Sequence, residues 1–235
     1  MKKIHLTVFD STLTKMQKIA GLIYLPLHIF IIPIFVNMLA YYLPGGLSQF
    51  GANCIYYGAG LLFCFSFMWK FLRNAYDILL DALMPNIMTI LMSYFLNMVL
   101  SFLAASVMLL IFGDGIANPN NAAVMDMADK SQRATLGLAV FIAPIVEEIL
   151  FRGVLFGSLR KKSRILAYSV SILLFAACHV WQYALASMDW RVLLYIIQYL
   201  PGGFALAWSY EKTNCIWVPI FGHMLLNVVS MMTIM

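Results

Sequence analysis

The sequence predicts an all-α, polytopic transmembrane helical bundle, and three observations carry that prediction. Of 235 residues, 63% are hydrophobic and only 11% charged, against about 25% charged in soluble domains. Apolar stretches long enough to cross about 30 Å of hydrocarbon recur along the whole chain. The basic residues gather in short segments between those stretches, the pattern of an orientation signal and not of a nucleic-acid surface. The expected partner is therefore the lipid bilayer, with no nucleic acid. The length allows one membrane domain, residues 1–235.

Seven spans are expected, near residues 19–43, 53–71, 86–112, 134–158, 164–182, 191–209 and 214–234. Pro26 and Pro33 lie inside the first, so a kink or a split is expected there, and a split would make eight. With no signal-peptide cleavage pattern ahead of it, this run is read as a retained span. Lys2, Lys3, Lys15 and Lys18 precede it, and Lys70 and Arg73 follow the second span. The segment 113–133 opens with turn formers and reads as a surface connector in preference to a lid. Arg160, Lys161, Lys162 and Arg164 form the densest basic cluster. The positive-inside rule puts that cluster and the N-terminus in the cytoplasm, and seven spans leave the C-terminus outside. Cys54, Cys64, Cys178 and Cys215 show no metal or redox spacing and are expected to be free thiols.

The informative residues are polar ones inside apolar runs. Glu147, Glu148 and Arg152 share the fourth span, where an ionisable group costs roughly 2.5–3.5 kcal/mol at the helix centre on insertion scales. With 1.5 Å of rise per residue, Glu147 and Glu148 lie roughly 16–18 Å above the cytoplasmic boundary. His179 falls at about 22 Å, His223 at about 14 Å and Asn227 at about 20 Å. Three helices thus bring polar side chains to one layer near the midplane. Glu148 and Arg152 are four apart and can pair on one face, while Glu147 points elsewhere, toward the bundle interior. His223 and Asn227 repeat that spacing, as do Phe175 and His179, where the ring would limit imidazole rotation. A carboxylate in a poorly solvated site accepts a proton well, a histidine can help hold a water, and a histidine with an amide can stabilise an oxyanion. Such a set suits peptide-bond hydrolysis without a serine or cysteine nucleophile. His28 is read as a hydrogen-bonded packing residue, Asn37 and Asn97 as interhelical donors, His5 as carrying no signal, and Cys178 as inert in apolar surroundings.

Glu147-Glu148-x-x-x-Arg152, Phe175-x-x-x-His179 and His223-x-x-x-Asn227, in that order on separate helices, resemble the motifs of the CAAX protease and bacteriocin-processing (CPBP, or Abi) membrane endopeptidases. That family includes the eukaryotic type II CAAX prenyl endopeptidase. Pro201-Gly202-Gly203 and Trp217-Val218-Pro219-Ile220 are similar in character to family segments. The resemblance covers a core of residues 134–231, with 1–133 supplying N-terminal spans and a loop. It implies that Glu147 and His179 activate water, that His223 and Asn227 form the oxyanion site, and that Glu148 and Arg152 hold the fourth span in register. It also implies two mechanisms: a metal-free glutamate one, favoured here, and a metal-dependent one in which Glu147, His179 and His223 would hold zinc. The residues themselves require no cofactor. The eukaryotic member has eight spans where seven are counted here, and the short chain resembles prokaryotic members of the plasma membrane. Its substrate would then be a leader peptide, a bacteriocin-like peptide or a membrane-protein segment. The alternatives are a non-catalytic bacteriocin-immunity or scaffold protein, and a proton-coupled transporter, which would call for inverted repeats that the sequence lacks.

Overall fold

The computed structural model describes residues 9–113 and 118–234. Lys2, Lys3 and His5, used above, and positions 114–117 of the expected connector lie outside the described residues. Every element among the described residues is helical. Five helices are long and apolar enough to cross a membrane: Lys15–Tyr42, Gln49–Phe67, Leu83–Phe112, Pro119–Arg160 and Trp190–Thr213. A sixth span is a pair, Arg164–Cys178 and Trp181–Ser187, bent by 44°. The seventh expected span is an apolar but shorter helix. Large apolar side chains such as Leu62, Phe102 and Leu110 face outward. In water such a surface would drive aggregation, and in a bilayer it is solvated by acyl chains. The chain is an integral, all-α membrane bundle.

The first span is α1 (Lys15–Pro26), one π-helical turn (Leu27–Ile31) and α2 (Ile32–Tyr42). It begins with a capping box between Thr14 and Gln17, which meets the first orphan N–H groups of the helix. The expected kink is that π turn: Ile32 N–H bonds the Leu27 carbonyl five residues back, and Pro33 has no N–H for the next carbonyl, that of His28. Ser48 caps α3 (Gln49–Phe67). The next helix, α4 (Trp69–Asp81), corrects a gap in the sequence reading, which saw only charged flank there. It is amphipathic, with Phe71, Leu72, Ala75 and Leu79 buried and Lys70 and Arg73 on the open side. After α5 (Leu83–Phe112), Gly113 ends the helix at φ 64°, a backbone that side chains with a Cβ resist.

The segment expected as a connector is also a helix. Asn118 caps α6 (Pro119–Leu136), which leaves helical geometry once, at Ser131 (φ −160°, ψ 85°), and runs on into the fourth span. That span continues as a π stretch (Gly137–Ile142), α7 (Ala143–Glu148), a second π stretch (Ile149–Phe156) and α8 (Gly157–Arg160). It is the central element: 61% of its most apolar window is buried, against 6% for α5. Val146, Ile149, Leu150, Phe151 and Val154 anchor the main core. Ser163 caps α9 (Arg164–Cys178), which meets α10 (Trp181–Ser187) at the bend. A short 3₁₀ turn leads into α11 (Ile196–Thr213), packed along α5, α9 and α12 (Trp217–Ile234). The basic cluster is tied down: Arg160, Arg164 and Tyr168 converge on Glu211, and Lys161 bonds Asp10, holding that carboxyl below its usual range.

Candidate active site

Three local features aim the polar side chains inward. On α3, Gly60 lets the fourth span approach so closely that a Cβ would sit 2.5 Å from Val146 Cγ1. On α9, the helix stops at Cys178, and the freed carbonyl of Phe175 accepts from His179 Nδ1 at 2.8 Å. A carbonyl only accepts, so Nδ1 carries the proton and Nε2 is left as an acceptor. On the fourth span, Pro144 follows the first π stretch. In π geometry its N would bond the carbonyl of Ala139, but proline has no N–H, and Asn227 Nδ2 fills the place at 2.8 Å. That bond fixes Asn227 and uses one of its two amide hydrogens.

Glu147 stands at the centre. Its Oε1 accepts from Tyr57 Oη at 2.7 Å. Its Oε2 faces His179 Nε2 at 4.0 Å and His223 Nε2 at 3.9 Å. Behind it, Glu148 Oε1 accepts from Arg152 Nη1 and from His223 Nδ1, both at 2.8 Å. Glu148 and Arg152 are fully buried, and Arg152 also donates to the Gly203 carbonyl at 3.2 Å. The sequence reading gave Glu148 and Arg152 the task of holding register; here Glu148 also orients a site histidine. Phe175 lies under the group, its ring 4.2 Å from the Arg152 guanidinium, 4.8 Å from His179 and 5.8 Å from His223. One guanidinium, Arg152, thus faces two carboxylates, Glu147 and Glu148, inside the bundle.

All four residues singled out from the sequence, Glu147, His179, His223 and Asn227, line one cavity of about 320 Å³. The α6 helix covers part of it through Asn120, Asn121, Val124 and Met127. Asn118 holds α6 there by donating to Gln198 at 2.7 Å and Tyr199 at 3.0 Å. The sequence reading missed Tyr57 and Tyr199, whose ring stacks on His179 at 4.4 Å. Tyr57 was findable: with the second span entering from the outer side and ending near residue 71, the same rise per residue puts it roughly 21 Å from the cytoplasmic boundary, near the depth of Glu147. His28 differs from expectation. It packs against Tyr56 and Tyr24, and neither ring nitrogen has a hydrogen-bond partner among the described residues. All four cysteines are free.

Among the described residues no group of three His, Cys, Asp or Glu side chains is arranged to hold a metal ion. Glu147, His179 and His223 have suitable donors, but their 3.9 and 4.0 Å separations exceed the roughly 3.3 Å between two ligands on a tetrahedral zinc. As placed they do not fit the ion. A water about 2.8 Å from both ends of such a gap subtends about 90° at its oxygen, an angle that water hydrogen bonding accommodates.

Fold and site together define a helical membrane bundle with a Glu–His–His–Asn layer lining one cavity, and the comparisons show what it is similar to. Residues 130–229 match the family model described as type II CAAX prenyl endopeptidase Rce1-like. Over 150 residues, 63% of this chain, it is 29% identical to the "Putative membrane peptidase YdiL" of Bacillus subtilis (strain 168). Over 83 residues, 35% of this chain, it is 35% identical to the "UPF0177 protein YxdF" of Lactococcus lactis subsp. lactis (strain IL1403). The matched stretches span 56% and 38% of those relatives. No solved structure matches.

Proposed function

We propose that the protein is a membrane-embedded endopeptidase that cleaves a peptide or membrane-protein segment by water attack, without a covalent intermediate. The observation that carries this reading is the approach of two ring Nε2 atoms to the same oxygen of Glu147, inside a cavity. Water sits between Glu147 Oε2 and His179 Nε2. As its oxygen bonds to the scissile carbonyl carbon, its proton passes to Glu147. The carbonyl oxygen becomes an oxyanion facing His223 Nε2 and the second amide hydrogen of Asn227. For His223 to donate there it carries both ring protons, with the Glu148 carboxylate facing its Nδ1–H. Collapse breaks the C–N bond, and Glu147 returns its proton to the leaving amine. The products are a new carboxylate and a new amine.

No step needs a metal, so stripping divalent ions should leave turnover within about twofold. Loss of activity on stripping, restored by zinc, would move the mechanism to the metal-dependent form. The cytoplasmic placement of the N-terminus and of the 160–164 cluster belongs to the same proposal. The test of function is a comparison of membrane peptides from cells carrying the wild type or Glu147→Ala. Fragment pairs that appear only with the wild type support hydrolysis and name the substrate; identical peptide sets contradict it.

A further inference from the structure

A second cavity, about 440 Å³, shares Asn53, Tyr57, Asn120, Glu147, His179 and Tyr183 with the first, while the rest of its wall comes from other residues. Both volumes fall within the range of about 300–1,000 Å³ typical of ligand sites. Their linings have an unusual chemistry. Among the described residues, no Asp, Glu, Lys or Arg apart from Glu147 lines either one, while side-chain amides recur: Asn97, Gln198 and Asn227 in the first, Asn37 and Gln182 in the second, Gln49 and Asn53 in both. An amide offers donors and an acceptor, which is what the N–H and C=O groups of an extended peptide require. A charged side chain or a free terminal carboxylate would be desolvated there with no counter-charge.

The second cavity also holds an unmatched group. His28 forms part of its wall, is 1% exposed, and has both ring nitrogens unpartnered among the described residues. It differs in this from His179 and His223, whose Nδ1 atoms are anchored. Tyr56 stacks on its ring at 4.2 Å and fixes its plane. A buried imidazole so placed calls for a polar partner from beyond the described residues, which a bound peptide can supply.

We infer that the two cavities are one substrate channel, that it takes an extended and uncharged stretch of peptide running past Glu147 on both sides, and that His28 binds that stretch in the second cavity. The inference rests on the endopeptidase reading for its direction, since the scissile bond lies where the cavities meet. It makes the cut internal, with charged residues and the free C-terminus outside the channel.

The experiment uses Glu147→Gln protein in bilayers and synthetic peptides of roughly 20 residues with an uncharged centre, lysines at both ends and a diazirine leucine at successive positions. One peptide should crosslink to the Asn97 side from one half and to the Asn37 side from the other. A single Lys or Asp at the centre should lower both yields about tenfold. His28→Phe should lower only the Asn37-side yield, and His28→Gln, which keeps a donor and an acceptor, should restore much of it. Crosslinks confined to one cavity or to the lipid face, equal yields from charged centres, or no response to His28→Phe would each overturn the inference. Crosslinking does not depend on turnover, so a channel that fills while wild-type protein leaves the same peptides intact would refute the endopeptidase reading and leave the channel standing.

Discussion

Glu147 is held at one oxygen and open at the other, and that asymmetry decides what single substitutions do. Tyr57 fixes Oε1, so Tyr57→Phe leaves the carboxylate free to turn its second oxygen away from His179. One such bond is worth roughly 0.5–1.5 kcal/mol, so kcat should fall up to about tenfold while KM holds, as steady-state kinetics would show. Arg152→Met leaves Glu148 and the His223 contact buried without their cation. A cost of about 3–5 kcal/mol is expected for breaking a buried pair, read as a lower melting temperature in detergent. Glu147, His179, His223 and Asn227 were legible because ionisable and amide groups stand out in apolar runs and their depths agree. Tyr57 was legible only through its depth, because tyrosine is ordinary in a span and carries no periodic signature. His28 was legible as buried, but only coordinates reveal that its nitrogens are unmatched.

At the level of elements, the site depends on interrupted helices. The first two π stretches precede Pro33 and Pro144, and the second of them leaves the Ala139 carbonyl that positions Asn227. The sequence foretold a kink near Pro26 and Pro33 but not the π turn, since proline marks a break without naming its geometry. It also read residues 113–133 as a connector, because Asn and Pro near the start signalled a turn; in the fold Asn118 and Pro119 open a helix whose inner side faces the cavity. The α4 helix escaped notice because a short amphipathic segment lacks the length signal of a span. Close packing gives the element-scale prediction. Gly60→Ala would place its Cβ 2.5 Å from Val146 and push α3 off the fourth span, whereas a Cβ on Gly58 meets nothing within 4 Å. The first should destabilise by about 1–3 kcal/mol and impair cleavage through Tyr57. Gly58→Ala should do neither, as thermal melts and turnover run side by side would show.

Across the whole molecule, composition alone carried the fold class, because so much apolar surface has no stable home in water. The span count was less legible: hydropathy marks the apolar stretches 164–182 and 214–234, but not that the first is a bent pair and the second a shorter helix. The proposed orientation predicts that a single cysteine at Lys161, in protein otherwise free of reactive thiols, is labelled by an impermeant reagent only from the cytoplasmic side; labelling from outside alone would invert the topology. The central claim is hydrolysis by a carboxylate-held water in a chamber within the membrane. Its most direct test is peptide cleavage by metal-stripped wild type and Glu147→Gln, reconstituted side by side in bilayers. The account predicts an active wild type and a variant slowed by roughly 10²–10⁴-fold, the scale of a general base. A Glu147→Gln protein that cleaves at the wild-type rate would contradict it.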